Sequence, residues 1–246
     1  MTRLTDAQVA AFRRDGFLRV DALTDAAEVE DLLGLYDELF QRDAGFDDGD
    51  RIELNADVAR APLPQIVNPE RYAPRLIQGQ AYRNAGEIAR QLLGSDCVPT
   101  GNHAILKPAR IGGATPWHQD EAYWDPRYAH RAVSIWLALQ PATIENGCMR
   151  FVAGSHRGPV LPHELLSADS HGLRLSATMP DAPETICELP AAGATIHAGR
   201  TLHSAGPNLS AQPRRALVFG FGLAPVLLDT PNHYPWQRPE WLRGGR

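Results

Sequence analysis

Cysteine is scarce in this sequence. Three occur among 246 residues, Cys97, Cys148 and Cys187, and no two of them have the C-x-x-C spacing. A small domain held together by disulfides, or a structural zinc site, needs more cysteines at closer spacing. The cysteine content therefore argues against both and favours a reducing compartment.

Long apolar runs and an excess of positive charge are also lacking. The first residues, MTRLTDAQ, contain no apolar signal core, and no segment is apolar over the roughly 20 residues that a membrane helix requires. The formal net charge of -5 provides no basic surface for nucleic acid or anionic lipid. We therefore expect a cytoplasmic protein that binds neither nucleic acid nor membrane. Independently of these patterns, we expect a monomer or a homodimer with a small-molecule substrate.

The first third of the chain contains helix signals. Thr5 and Gln8 fit a capping box, and the predicted helix continues to Asp15. Asp25 opens a second predicted helix, in which apolar residues recur at helical spacing, and residues 82–93 predict a third. The apolar stripes on these helices predict packing against a sheet.

The segment from Gln41 to Pro64 is polar and rich in aspartate and glycine. Its acidic residues lack the ligand pattern of a calcium-binding loop. We interpret the segment as a solvated, mobile loop. A lid over a binding site is an alternative that the sequence leaves open.

Short β-type segments separated by turn residues fill the second half of the chain. Together with a short strand at Phe17–Val20, the predicted strands are Ala104–Leu106, Ala132–Leu139, Cys148–Val152, Glu184–Leu189, Ala194–His197 and Arg215–Leu223. Glu145-Asn146-Gly147 is a turn signal between two of them. Repeated short strands of this kind indicate a double-sheet jelly roll or a barrel.

The expected fold class is therefore mainly β with flanking helices. An apolar content of 43% and a charged content of 22% suit a globular protein with one sizeable core. No linker, internal repeat or low-complexity segment divides the chain. We expect one domain over residues 1–246, with a helical part at about 1–95, a core at about 96–225 and a tail at 226–246.

The stretch TPWHQDEAYW places His118 and Asp120 two residues apart. On an extended strand, side chains at this spacing lie on the same face. An imidazole and a carboxylate that converge in this way match two ligands of a 2-His-1-carboxylate iron site, and His203 in RTLHSAGPN is the candidate third ligand. The H-x-D pattern is common, but its aromatic and apolar surroundings favour a buried polar pair that needs a partner.

Four local motifs resemble those of the phytanoyl-CoA dioxygenase-like branch of the Fe(II)/2-oxoglutarate-dependent oxygenases. The likeness runs from about Thr5 to Pro225, and its motifs are KPARIGGATPWHQDEAYW, VSIWLAL, ENGCMRFVAGSH and HSAGPNLSAQPRRA. Their order and spacing agree as well as their letters. The resemblance implies a double-stranded β-helix (a cupin-like jelly roll) in which iron, 2-oxoglutarate and O2 support substrate hydroxylation, with succinate and CO2 as co-products.

The resemblance also implies roles for individual residues. His118, Asp120 and His203 match the iron ligands, and Arg214, eleven residues after His203, matches the arginine that holds the distal carboxylate of 2-oxoglutarate. Independently, a guanidinium suits that role because its planar donor fork stays charged when buried. The sequence suggests that His203 ends one strand and Arg214 begins the next. The alternative for Arg214 is a surface arginine, which we expect of Arg215.

Further cosubstrate contacts follow from the same resemblance. Trp136 is expected to pack along 2-oxoglutarate, and Gln119, His103 and Gln65 to contact it. Gln65 stands where many members of the family have lysine. Ala205 stands where a serine hydroxyl often donates to the cosubstrate.

The substrate is less well specified. Tyr123 and Trp124 are expected at the pocket entrance, and Trp236 and Trp241 in the tail could cap a pocket, pack on the barrel or form a dimer contact. No basic cluster suits a CoA phosphate, so we expect a small organic metabolite. Because Asp120 occupies the position that related halogenases leave open, hydroxylation is the expected outcome; epoxidation, desaturation and ring closure remain alternatives.

Two other functions remain open from the sequence alone. One is a non-catalytic member of the same fold that binds a metabolite or a partner protein. The other is a cupin-type metal enzyme that uses no 2-oxoglutarate. The complete triad with Arg214 disfavours the first, and Arg214 with Trp136 disfavours the second.

The remaining histidines are expected to be structural or solvated. We expect solvated side chains for His130, His163, His171 and His233. His156 belongs to a turn and is expected to make a structural hydrogen bond. His197 is expected near the metal ligands without being one.

Overall fold

The computed structural model describes residues 3–55, 59–168 and 170–238. Its helices are α1 (Asp6–Asp15), α2 (Ala26–Gln41) and α3 (Gln80–Leu93). Its strands are β1 (Phe17–Val20), β2 (Arg51–Glu53), β3 (Pro64–Val67), β4 (Val98–Lys107), β5 (Thr115–His118), β6 (Tyr128–Ala129), β7 (Ala132–Ala138), β8 (Met149–Val152), β9 (His163–Leu165), β10 (Leu173–Leu175), β11 (Glu184–Cys187), β12 (Ala194–Ala198), β13 (His203–Ala205), β14 (Arg214–Gly222) and β15 (Val226–Leu227).

Two antiparallel sheets form the β core. The larger has the strand order β1-β12-β7-β14-β4-β3-β2, and the smaller has the order β11-β8-β13-β5. Their facing sides share one buried apolar cluster, with Trp136 and Val218 from the larger sheet and Phe151 and Ala205 from the smaller. This arrangement confirms the predicted jelly roll with flanking helices.

The helices cover the outer face of the larger sheet. Ile135 of β7 and Ile196 of β12 belong to a second apolar cluster with Tyr36 of α2 and Ile88 of α3. Side chains alternate along a strand, so the residues between these apolar positions, such as Trp136, face the interior between the sheets. The outer face of the larger sheet therefore packs against the helices, and its inner face lines the interior between the two sheets.

The helix boundaries follow the capping signals in the sequence. The Thr5 hydroxyl accepts a hydrogen bond from the Gln8 backbone N–H, and the Gln8 side chain accepts one from the Thr5 N–H at 2.9 Å. The Asp25 carboxylate caps α2 by accepting from the Glu28 N–H. Both predicted starts are confirmed, and α3 begins two residues earlier than predicted, at Gln80.

The prediction of a solvated loop from Gln41 to Pro64 is wrong for part of the segment. Arg51–Glu53 forms β2, which pairs with β3 at the edge of the larger sheet. Asp50 is 1% exposed and accepts hydrogen bonds from Arg71 and from the Tyr72 hydroxyl. These partners are distant in sequence, which is why local polarity gave no sign of them. Residues 56–58 lie outside the described residues, and a lid role for the segment stays a prediction.

Strand β4 is longer than the predicted Ala104–Leu106. It covers ten residues because it pairs with β14 along nearly its whole length, from Arg214↔Lys107 to Gly222↔Val98. Its polar first half would not indicate a strand without that partner. The other predicted strands agree with the structure to within two residues at each end.

The cysteines and the helices bear on the expected absence of disulfides and of membrane-spanning segments. All three cysteines are free thiols. Among the helices of the described ranges, none combines the length and apolar character needed to cross a membrane.

The turn at Glu145-Asn146-Gly147 is built around a left-handed glycine. Gly147 has φ 84°, and a Cβ at this position would collide with the carbonyl oxygen of Gly206. The Asn146 side chain closes the turn by accepting from the Thr143 N–H at 2.8 Å. This turn leads directly into β8 of the smaller sheet.

Replacing Gly147 with alanine is expected to lower the free energy of unfolding by roughly 2 kcal/mol, because the left-handed conformation and the contact with Gly206 both penalise a Cβ. Chemical denaturation measures the change. Gly34→Ala is the matched control: Gly34 is an exposed residue of α2 with nothing within 4 Å of a new Cβ. That substitution should stabilise the protein by about 0.5–1 kcal/mol. Equal effects of the two would contradict this account.

Candidate metal centre and anion pocket

Strand pairing brings the three predicted metal ligands together. His118 is the last residue of β5, and Gln119 remains extended before Asp120 starts a 3-10 turn over Asp120–Tyr123. In the register of β13 with β5, His203 lies directly opposite His118. His203 therefore begins a strand, where the sequence suggested that it ends one. Strand β13 starts at His203 because this residue pairs with His118 of β5 on one side and with Phe151 of β8 on the other.

The donor atoms of the cluster surround one point. Asp120 Oδ1 lies 3.4 Å from His203 Nε2 and 3.6 Å from His118 Nε2. All three ligand atoms lie within 4.8 Å of one another. Ligand atoms at about 2.1 Å from a metal and at right angles to each other are about 3 Å apart. The cluster thus has the spacing of a facial triad.

Backbone carbonyls fix the orientation of both imidazoles. His118 Nδ1 lies 2.9 Å from the Pro116 carbonyl oxygen, and His203 Nδ1 lies 2.9 Å from the Thr201 carbonyl oxygen. In each case Nδ1 carries the proton and donates, so Nε2 presents a lone pair to the cluster. This is the tautomer that binds a metal.

The charge states also suit a metal. Burial, reinforced by the neighbouring His203, lowers the pKa of His118, so the neutral imidazole is favoured. Burial alone would raise the pKa of Asp120, but His203, His118 and His197 outweigh it and hold that pKa well below its usual range. Neutral imidazole and ionised carboxylate are the forms that coordinate metals.

The second carboxylate oxygen of Asp120 is held by the larger sheet. Asp120 Oδ2 accepts hydrogen bonds from the Ser134 hydroxyl at 2.7 Å and from His197 Nε2 at 3.1 Å. His197 is 2% exposed and lies on β12. The two donors fix the carboxylate so that Oδ1 faces the other ligands. His197 lies near the metal ligands, as predicted. The hydrogen bond from Ser134 to Asp120 was not predicted.

Arg214 forms a second, cationic feature of the interior. It is the first residue of β14 and is 1% exposed. Its guanidinium carbon lies 5.0 Å from the centre of the Trp136 ring. Within the described ranges, its Nε and Nη1 atoms have no hydrogen-bond partner. Burial lowers the pKa of Arg214 to about 10, so the side chain remains charged at neutral pH.

Lys107 is a further buried basic side chain, and it was not predicted from the sequence. It is 0% exposed and lies opposite Arg214 in the pairing of β4 with β14. Its ammonium group donates to the Gly113 carbonyl oxygen and, at 3.3 Å, to the Thr115 hydroxyl. Burial, then the charge of Arg214, places the pKa of Lys107 well below its usual value. The one sequence feature that could have pointed to Lys107 is its position at the start of the KPARIGG motif, where β4 ends.

Gln65 and His103 contact each other, as expected of neighbours on β3 and β4. Gln65 Nε2 lies 2.7 Å from His103 Nδ1. Burial lowers the pKa of His103, and the charge of Asp120 partly opposes this effect. Contact of Gln65 and His103 with a cosubstrate stays a prediction.

Gln119 lies elsewhere than expected. Its amide nitrogen donates to the carbonyl oxygens of Pro159 and Arg200, and its amide oxygen accepts from the Leu161 N–H. Both amide protons are thus engaged with the backbone. These hydrogen bonds favour a role for Gln119 in fixing the backbone between the two ligands. They leave no amide N–H of Gln119 free to donate to a cosubstrate as predicted.

His163 is not solvated as predicted but buried, with 4% exposure. Its Nε2 accepts a hydrogen bond from the Gln119 N–H at 3.1 Å, and its Nδ1 donates to the Leu161 carbonyl oxygen at 2.7 Å. Burial lowers the pKa of His163 to about 4. The ring supports the backbone between His118 and Asp120. His233 is exposed, as expected.

Tyr123 and Trp124 follow the metal ligands on the 3-10 turn. The Tyr123 ring lies edge-on to the His118 ring, with 6.2 Å between ring centres. The Trp124 ring lies against Gly199 and contacts the His130 ring at 5.3 Å. Both side chains are partly exposed, which is compatible with the predicted position at a pocket entrance.

The C-terminal tail packs on this turn. Trp236 Nε1 donates to the Ala122 carbonyl oxygen at 3.0 Å, and the Gln237 amide donates to the carbonyl oxygens of Ala122 and Trp124. Trp236 thus packs against the turn that follows the metal ligands, and a role in capping a pocket or in a dimer contact stays a prediction. Trp241 lies outside the described residues.

Removing the donor of His197 is expected to weaken metal binding. In His197→Phe, Asp120 Oδ2 loses one hydrogen bond, and the Fe(II) affinity should fall at least about tenfold, the usual effect of losing such a partner. His197→Gln places an amide N–H near the same point and should retain most of the affinity. Anaerobic competition with a chromophoric chelator measures both, with exposed His233→Gln as the control. An unchanged affinity in His197→Phe would contradict the positioning role.

Comparison with known proteins agrees with this arrangement. The model of the family described as Phytanoyl-CoA dioxygenase (PhyH) matches residues 12–216. The structure of EvdO2 from Micromonospora carbonacea var. aurantiaca in complex with 2-oxoglutarate is 37% identical, with a TM-score of 0.83, over 96% of this chain and 98% of that chain.

Two further relatives are more distant. The probable alpha-ketoglutarate-dependent hypophosphite dioxygenase of Stutzerimonas stutzeri is 28% identical over 66% of this chain and 58% of its own length. This chain thus matches less than two thirds of that relative. The non-heme alpha-ketoglutarate-dependent epimerase SnoN, from nogalamycin biosynthesis, is 23% identical with a TM-score of 0.70, over 96% of this chain and 87% of its own, a likeness of fold.

Proposed function

Because the chain belongs to the phytanoyl-CoA dioxygenase family, we propose that it is an Fe(II)/2-oxoglutarate-dependent oxygenase. The cluster of His118, Asp120 and His203 would hold the iron. One observation carries the proposal beyond family membership: the same interior contains a fully buried guanidinium, Arg214, with two nitrogens that lack a partner within the described residues. A metal cluster and a buried cation together suit a metal-chelating dicarboxylate.

The protein's own groups would bind and orient the reactants. Arg214 takes the distal carboxylate of 2-oxoglutarate with its donor fork, and Trp136 supports the guanidinium from one side. Ser134 and His197 keep the Asp120 carboxylate oriented toward the metal. When bound, iron and 2-oxoglutarate supply with O2 the oxidising power for the substrate reaction, and 2-oxoglutarate ends as succinate and CO2.

Hydroxylation of a small organic metabolite is the reaction we propose. The carboxylate ligand Asp120 leaves no halide position in the triad, which favours hydroxylation over halogenation. The position of the substrate selects which bond reacts, and Tyr123 and Trp124 are proposed to border the entrance. SnoN, which is named an epimerase, shows that this fold also serves another reaction. We further propose a cytoplasmic, single-domain protein that is monomeric or homodimeric.

The alternative is a non-catalytic protein of the same fold that binds a metabolite or a partner. Such a protein would not require a metal cluster with both imidazole tautomers fixed by carbonyls. Nor would it require a buried cation beside that cluster. Binding of Fe(II) and 2-oxoglutarate together therefore separates the two candidates.

Anaerobic titration of the Fe(II) protein with 2-oxoglutarate is expected to give a saturable charge-transfer absorption band. Arg214→Ala should raise the Kd for 2-oxoglutarate by about 100-fold, because the carboxylate loses its buried charge partner. Arg215→Ala is the matched control, since Arg215 pairs with Asp37 of α2 outside the interior. Its Kd should stay within about twofold of the original value.

The same titration can refute the proposal. A folded, iron-loaded protein that gives no band with 2-oxoglutarate is not a 2-oxoglutarate-dependent oxygenase. An Arg214→Ala variant that binds as tightly as the unaltered protein would show that the anion site lies elsewhere.

A further inference from the structure

Thr195 lies in the interior of the jelly roll with an unused hydroxyl. It is the second residue of β12, between Ala194 and Ile196, which both belong to the apolar cluster on the outer face. By alternation, the Thr195 side chain faces the interior. It is 0% exposed, and its Oγ1 atom has no hydrogen-bond partner within the described residues. Buried hydroxyls without partners are uncommon in folded proteins.

The strand register places this hydroxyl beside Trp136, the ring that the Arg214 guanidinium contacts. Thr195 is directly opposite Trp136 in the pairing of β12 with β7. Directly opposed residues on one face of an antiparallel pair have Cβ atoms about 4.5–5.5 Å apart. The Arg214 guanidinium lies over the same Trp136 ring, at 5.0 Å. Thr195 and Arg214, two groups with unused donors, are therefore both neighbours of Trp136.

The same strand also carries a partner of Asp120. His197, two residues after Thr195, donates from Nε2 to Asp120 Oδ2. Thr195 and the Asp120 partner His197 therefore lie on the same face of β12.

Strand β13 of the smaller sheet has no hydroxyl at Ala205, the position where members of the family often have a serine. Ala205, on β13, places only a methyl group in the cluster that contains Trp136. Ser204 cannot replace it, because it is paired with Arg150 and alternation turns its side chain to the other face of the smaller sheet.

We propose that the Thr195 hydroxyl donates a hydrogen bond to the distal carboxylate of 2-oxoglutarate, beside Arg214, and replaces the serine hydroxyl that Ala205 lacks. This inference rests on the proposed function. A carboxylate can accept more hydrogen bonds than one guanidinium supplies, and a hydroxyl donor to a charged acceptor forms a short, strong bond. The donor that has no partner in the protein thereby gains one in the ligand.

The test compares two keto acids and two variants. Thr195→Val keeps the shape of the side chain and removes the hydroxyl, whereas Thr195→Ser keeps the hydroxyl. Binding is followed by anaerobic titration of the Fe(II) protein with 2-oxoglutarate and with 2-oxopentanoate, in which a methyl group replaces the distal carboxylate. Thermal unfolding of the metal-free variants, expected at or above the original midpoint for Thr195→Val, verifies that they are folded.

Thr195→Val is expected to raise the Kd for 2-oxoglutarate about tenfold and to leave the Kd for 2-oxopentanoate unchanged. Thr195→Ser should bind 2-oxoglutarate nearly as tightly as the unaltered protein. An unchanged Kd in Thr195→Val, or equal weakening for both keto acids, would overturn the assignment of Thr195 alone. Failure of the unaltered protein to bind 2-oxoglutarate would overturn the proposed function and the Thr195 assignment with it.

Discussion

A buried guanidinium that has no acidic partner within the described residues is the constraint on which the interior of this protein depends. Arg214 is almost completely removed from solvent, and its neighbours Trp136 and Lys107 supply no negative charge. An unpaired buried charge is costly, and most proteins avoid one. The cost is understandable if an anion completes the site during function.

Asp120 links the two sheets at the metal centre. One carboxylate oxygen faces His118 and His203 on the smaller sheet, and the other accepts from Ser134 and His197 on the larger sheet. A single side chain thus joins the two sheets at the point where chemistry is proposed. The geometry of the centre follows from strand register, because β5, β13, β7 and β12 each contribute one of these four partners.

Local patterns in the sequence were sufficient for some features and insufficient for others. The capping residues Thr5 and Asp25 predicted two helix starts because capping depends on neighbours within one turn. The burial of Asp50, His163 and Thr195 could not be predicted, since it depends on partners far away along the chain. Lys107 is an example of the same limit: a lysine at a strand end is usually solvated, and only the pairing of β4 with β14 buries it.

The most direct test of the account is the location of both ligands in one crystal structure. Crystals grown without oxygen with Mn(II), as a redox-stable substitute for Fe(II), and 2-oxoglutarate would locate the metal by anomalous scattering. The account predicts a metal bounded by Nε2 of His118, Oδ1 of Asp120 and Nε2 of His203, and a distal carboxylate within hydrogen-bond distance of Arg214. A metal bound elsewhere, or a carboxylate turned away from Arg214, would contradict it.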